Sequence, residues 1–269
     1  MLSKKDHDVT QAVASLIRAL MAEPFPKQLA AHAAVCEFGS DAVPPLRDAL
    51  DKTLQQDYRP EITSMLTGLA LALHDVDENA SRNFIDRALS TQLHAVHAAS
   101  LRSIRKFTTT NYRHDSYGDI AILEHSNLDV EHEVSRHVRE WLRFVPPEDL
   151  DSISRIYIIS ADPTYDYLGT YLQGLAVITL VWNTRDKPNS MLYRILRTRC
   201  RITLYHEIGH HALGHDEPGQ VPEQEKEADI YAARVMQRVY PNLARFVRFL
   251  RMIRLVPKPR WAEDADRIE

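Results

Sequence analysis

Apolar residues recur at helical spacing over residues 9–107, and this periodicity is the strongest constraint the chain carries on its own fold. Val13, Leu16, Ile17 and Leu20 form one stripe, and Leu66, Leu69, Leu71 and Leu73 belong to another. The first hundred or so residues therefore read as helices packed on one another. Residues 108–119 are polar and aperiodic and read as a connection between two units. Beyond it the character changes. Residues 133–144 keep a helical spacing that Pro146-Pro147 ends. Residues 156–159 and 175–182 are instead β-branched and aromatic-rich and predict a small sheet, with residues 169–174 supplying a third strand or a turn. Ser190 then offers an N-cap for a long helix over residues 191–213 that Gly214 closes, and Pro222 opens a second helix that runs to about Val239.

The expected architecture is mainly α with a small β-sheet: a helical unit over residues 1–118, an α+β unit over 119–256, and a mobile tail over 257–269. At 269 residues the chain has room for two such modules. Because the connection carries little apolar surface, a fragment starting near Asp119 is expected to fold by itself. Two stretches of the helical unit look alike, residues 38–50 and a later one ending Phe84-Ile85-Asp86-Arg87-Ala88-Leu89, at an interval typical of two-helix solenoid repeats. The first resembles a HEAT-type repeat; a plain helical bundle is the alternative. Residues 242–255 read as a last helix whose Arg245, Arg248, Arg251 and Arg254 drift around its surface, so that a solvated face lies beside a buried one.

Composition excludes several function classes. A content of 44% hydrophobic and 26% charged residues, without a polar low-complexity tract, is that of an ordered globular protein. A formal net charge of -4 with both signs interspersed gives no reason to expect a nucleic-acid partner. Cys36 and Cys200 stand far apart and outside any Cys-x-x-Cys pair, which predicts neither a disulfide framework nor a thiolate metal site and fits a reducing compartment. No apolar run reaches membrane-spanning length, and the N-terminal MLSKKDHDVTQ has no signal-peptide core, so a cytoplasmic protein without membrane contact is expected.

The long helix contains His206-Glu207-Ile208-Gly209-His210. A spacing of four places both imidazoles on one face, one turn apart, where both reach a single zinc ion. Glu207 lies beside them, placed to take the proton of an attacking water. A catalytic zinc site wants a third protein ligand and an open fourth position. Glu225 and Asp229 share one face of the following helix. Glu225 can ligate the metal, while Asp229 accepts a hydrogen bond from a ligand histidine and fixes its tautomer. Glu223 and Glu227 read instead as a solvated acidic first turn that complements the helix dipole. His211 faces away from His210 and reads as a core-edge or surface residue, and His215 sits just past the helix end, where it complements the dipole. His215, Tyr205 and Tyr231 are the candidates for stabilising an oxyanion. One Zn2+ per chain follows, since no second ligand cluster is visible in the sequence.

The string from His206 to His215, HEIGHHALGH, followed by EKEADIYAA, resembles the ImmA/IrrE family of cytoplasmic metallopeptidases, which are thermolysin-like zincins with two His and one Glu as ligands. The family's active-site helix reads like Thr-Leu-x-His-Glu-x-Gly-His, matched by residues 203–210, and its Glu-x-Glu-Ala-Asn/Asp string matches residues 225–229, with the ligand falling on Glu225. The resemblance covers residues 133–240. It implies a zincin-like fold and a zinc-dependent endopeptidase acting on a cytoplasmic protein or peptide. The chain departs from the family after the second helix, where Leu-Leu-Met-Pro is replaced by a stretch ending Val239-Tyr240-Pro241, and no helix-turn-helix domain is evident. The helical unit stands in its place and could select the substrate or a protein partner, with residues 175–182 as an edge for an extended substrate. The alternative function is a helical-repeat interaction protein with a structural or vestigial zinc site.

Overall fold

The computed structural model describes residues 4–105, 112–161, 168–172, 174–182, 187–188, 190–215 and 221–242. The expected tail and most of the arginine-bearing last helix lie outside the described residues. The chain is mainly helical with one small mixed sheet.

Six helices make up the first half: α1 (Lys4–Ala22), α2 (Phe25–Cys36), α3 (Val43–Leu54), α4 (Pro60–Val76), α5 (Glu78–Leu89) and α6 (Ala95–Arg105). Prolines open α2, α3 and α4, where a missing N–H costs nothing, and the Asp77 carboxylate caps α5 by accepting from the Ala80 N–H at 2.9 Å. Helix α4 is apolar nearly all round, and Leu66, Leu69, Ala70, Leu71, Ala72 and Leu73 are all fully buried. Such a helix must sit inside others. It packs against α1, α2, α3, α5 and α6, a bundle centred on one helix, whereas a solenoid repeat touches only its neighbours in sequence.

The sheet has five strands in the order β1-β2-β3-β5-β4: β1 (Tyr112–Tyr117), β2 (Ile120–His125), β3 (Arg155–Ser160), β4 (Gly169–Leu172) and β5 (Val177–Trp182). β2, β3 and β5 run parallel, with β1 and β4 antiparallel at the edges. Two expectations change here. The polar stretch read as a connection contains β1, because an edge strand with one solvated side needs no apolar alternation. β5 is not the edge: it lies between β3 and β4, with all six residues buried, so a continuous apolar run marks a central strand and the edge on that side of the sheet, among the described residues, is β4.

Helix α7 (Val134–Leu142) and the long helix α8 (Met191–Ala212) cover the front face of the sheet, packing on Ile122, Ile156, Ile158, Ile178 and Leu180, and the long helix α9 (Pro222–Val239) packs on α8. The helical half covers the back, where Leu123, Tyr157, Leu172, Leu175 and Val177 join its core. Alternate residues of each strand thus serve two different cores. The boundary expected at residues 118 and 119 falls in the turn of the β1–β2 hairpin.

A buried ion pair crosses this junction. Arg155 on β3 donates to Asp75 of α4 from both terminal nitrogens, at 2.9 and 2.8 Å. Burial alone would push the Asp75 carboxyl up, but the Arg155 guanidinium and hydrogen bonds from His32, His74 and Arg155 hold it well below the usual carboxylate range. A depressed carboxyl contributes stability above its unfolded value, roughly pH 4, and loses it only as pH falls through the folded value. Arg155→Met is expected to cost about 3–5 kcal/mol in denaturant unfolding at pH 7, because it strands a buried charge. Asp75→Leu combined with Arg155→Met should recover much of that loss. A double variant no better than the single one would show that the pair is not what the junction depends on.

Candidate metal centre

Helix α8 begins where Ser190 accepts from the Tyr193 N–H at 3.0 Å and runs under the sheet on Leu204, Tyr205 and Ile208. Helix α9 crosses it with Ala228 and Ala232 buried at the contact, small residues that let two backbones approach. The crossing brings Glu225 and Asp229 over His206 and His210.

His206 Nε2 lies 3.1 Å from His210 Nε2, Glu225 Oε2 lies 3.3 Å from His206 Nε2, and Glu225 Oε1 lies 3.7 Å from His210 Nε2. Ligand atoms at about 2.0–2.1 Å from a tetrahedral zinc are separated by about 3.3 Å, so this triangle has the dimensions of three zinc ligands, and no described residue adds a fourth. The hydrogen bonds behind the imidazoles decide their tautomers. His206 Nδ1 is 2.9 Å from Asp229 Oδ1, and a carboxylate only accepts, so Nδ1 carries the proton and Nε2 is the bare nitrogen of the neutral ring that a metal needs. His215 Nε2 is 3.0 Å from Glu227 Oε2 and donates to it, which in the neutral ring leaves His215 Nδ1 as an acceptor. His210 Nδ1, 2.8 Å from His215 Nδ1, therefore donates, and its Nε2 is bare as well. Burial, His206 and His215 together push His210 down to about 4, so it is neutral near pH 7, as a ligand must be. Two bare nitrogens and a carboxylate turned toward one point fit a cation.

The Glu227–His215–His210 chain is absent from the sequence reading. It comes from the way α8 ends. Gly214 takes φ +65, and the helix closes with the His215 N–H on the His210 carbonyl at 3.0 Å and the Gly214 N–H on the His211 carbonyl at 3.1 Å. This closure folds the residue two beyond the helix back onto its last turn. Glycine at 214 followed by histidine was the available signal. Glu227, read as a solvated first-turn carboxylate, is the outer end of this chain. The remaining oxyanion candidates are committed elsewhere: the Tyr205 hydroxyl donates to the Trp141 carbonyl at 3.0 Å and the Tyr231 hydroxyl to Asp149 Oδ2 at 2.6 Å.

Glu207 is buried beneath the edge strand. A Cβ added to Gly169 of β4 would stand 2.8 Å from Glu207 Oε1, so glycine there lets strand and carboxylate approach. Glu207 accepts a hydrogen bond from the Tyr171 backbone N–H, and burial with the nearby Glu225 pushes it up to about 8 in the metal-free protein. Since this folded value is raised, the stability linked to Glu207 is full below the unfolded carboxyl value, near pH 4.3, and is lost as pH rises through about 8. Glu207→Gln should therefore raise the melting temperature of metal-free protein at pH 8–9 and leave it nearly unchanged at pH 4, a difference on the order of a few kcal/mol. Equal shifts at both pH values would place the effect outside ionisation.

Of the two positions read for His211, core edge or surface, the structure has it buried: its Nε2 is 2.7 Å from the Asp151 carbonyl and its Nδ1 is 3.0 Å from the Tyr171 hydroxyl. A second grouping, His32, Cys36 and Asp75, also has the proximity to hold a metal ion. Its chemistry fits less well. Both Asp75 oxygens are engaged by Arg155, whose fixed positive charge opposes a cation, and burial pushes the Cys36 thiol up to about 11, away from thiolate. No described helix is long and apolar enough to cross a membrane. Compared with family models, with curated proteins and with solved structures, the chain finds no match.

Proposed function

We propose that the chain is a zinc-dependent endopeptidase that cleaves a protein or peptide substrate. The observation that carries this reading is the triangle of His206, His210 and Glu225 beside a buried Glu207, under the edge strand β4. Zinc held there supplies a Lewis acid that polarises the scissile carbonyl and acidifies the attacking water. Glu207 takes the proton of that water and hands it to the leaving amine. His206 and His210 are held with Nε2 forward by Asp229 and by the His215–Glu227 pair. A purely structural site would close with a fourth protein ligand and has no use for a buried carboxylate beside it.

The substrate would pair with β4. The Val181 N–H bonds the Leu168 carbonyl at 2.8 Å, which makes 168 and 181 a hydrogen-bonded pair and turns the backbone groups of Gly169 and Tyr171 away from β5. With the Tyr171 N–H on Glu207, an extended peptide meets the Gly169 N–H and the carbonyls of Gly169 and Tyr171. An edge open in this way admits a chain interior as readily as a terminus.

The test is to incubate zinc-loaded protein with a denatured cell extract and map new peptide termini, with parallel samples stripped by chelator and then reloaded. New termini should vanish on stripping and return on reloading, at about one zinc per chain. Protein that takes up no zinc, or termini indifferent to chelator, would end the reading.

A further inference from the structure

We infer that Tyr171 and His211 are positioning residues for Glu207: the bond between their side chains fixes β4 against α8 so that the Tyr171 backbone N–H holds the Glu207 carboxylate. The inference rests on the reading of Glu207 as general base.

The tautomer of His211 follows from its partners. A carbonyl only accepts, so His211 Nε2 donates to Asp151 and Nδ1 is bare. The Tyr171 hydroxyl must then donate to Nδ1, and the direction of the whole chain, from Tyr171 through His211 to the Asp151 carbonyl, is fixed. Burial holds the Tyr171 hydroxyl in its protonated form, as a donor to His211 must be.

Geometry links the chain to Glu207. Glu207 and His211 are four apart on α8 and share the face that meets β4. One residue of the strand engages both, by its N–H to Glu207 and by its hydroxyl to His211. Among the described residues β4 is a four-residue edge strand paired with β5 alone, so contacts such as these help to keep it at a fixed height over the helix. The Tyr171 N–H is one the ladder with β5 does not use. Without the hydroxyl anchor the strand can lift, and the carboxylate loses the donor that orients it. Small displacements of a proton acceptor are costly: about 1 Å can remove about a hundredfold in rate.

The experiment uses the full-length, zinc-loaded chain. Tyr171→Phe and His211→Leu should each lower kcat by about 10- to 100-fold with zinc content unchanged. His211→Gln, whose amide oxygen can accept from Tyr171 while its nitrogen donates to Asp151, should return kcat to within about threefold of the parent. A residue that served only to fill space would not be rescued by glutamine. A second readout needs no turnover. The amides of Gly169 and Tyr171 both face away from β5, but the Tyr171 amide should exchange with deuterium at least about tenfold more slowly. That protection should disappear in Glu207→Ala and in His211→Leu and persist in His211→Gln. A Tyr171 amide as fast as that of Gly169, or one indifferent to Glu207→Ala, overturns the inference, as does an unchanged kcat in Tyr171→Phe. Should His211→Leu fail to fold, Tyr171→Phe and His211→Gln still decide. If the exchange pattern holds in a protein that cleaves nothing, the positioning of Glu207 is supported and the peptidase reading is what fails.

Discussion

Glu207→Ala is expected to retain about one zinc per chain and to lose about a hundred- to ten-thousandfold in turnover, the range for removing a positioned base. The metal should stay because no ligand is touched: the triangle of His206, His210 and Glu225 closes without this side chain. Turnover should collapse because the site holds no evident substitute. Among the described residues the nearby groups are committed: the Glu225 oxygens face the two imidazoles, Asp229 is bonded to His206, and His215 is held between His210 and Glu227. The environment of Glu207 also predicts a pH dependence. Burial and Glu225 favour its protonated form, and a bound cation opposes them, so loading zinc must draw its pKa down from about 8. A base acts only when ionised, so activity should rise with pH through the zinc-loaded value of Glu207, and this acidic limb should be absent from the residual rate of Glu207→Ala. The measurement is a pair of pH profiles of kcat/KM with zinc content determined on the same samples. A variant as active as its parent would assign cleavage to another protein in the preparation.

The parts of this fold that lie close together in sequence were legible there. Ser190 and Pro222 place the starts of α8 and α9 because caps act within one turn, and the four-residue spacings of His206 with His210 and of Glu225 with Asp229 put each pair on one helix face. What needed distant partners was not legible. A run such as that of β5 states that a strand is buried on both faces but not which strands flank it, so the edge was assigned to β5 when it belongs to β4. Helical periodicity states that α4 is buried but not that its neighbours also cover the back of a sheet. That sheet face is the reason the helical half and the half with the candidate metal centre share a core through Leu172, Leu175 and Val177. His211 shows the same limit: its angle on the helix places it away from the metal face, and only the tertiary fold reveals that this direction leads to Tyr171 and Asp151.

Glu225→Gln is expected to weaken zinc binding by at least about a hundredfold, and Glu227→Gln by about tenfold or less, when each protein competes with a chromophoric chelator. The two carboxylates are two positions apart on α9, about 200° around the helix, so they cannot serve the same point. The structure divides them accordingly. Glu225 reaches both bare imidazole nitrogens, at 3.3 and 3.7 Å, while Glu227 reaches His215 Nε2 at 3.0 Å and acts on His210 only through that ring. An amide at 225 offers a neutral oxygen where the cation needs a negative one, and it loses charge as well as a strong donor. An amide at 227 can still accept from His215 through its oxygen, so the tautomer that bares His210 Nε2 survives at a reduced strength. The position of Glu227 also matters: its side chain is 58% exposed against 35% for Glu225, so solvent screens its loss more. Removing the ring itself, by His215→Ala, should cost more than Glu227→Gln and less than Glu225→Gln, since His210 then exchanges a fixed acceptor for water. The reverse ranking, with Glu227→Gln losing metal that Glu225→Gln keeps, would mean that His215 closes the site in place of Glu225, with Glu227 as the group that orients it.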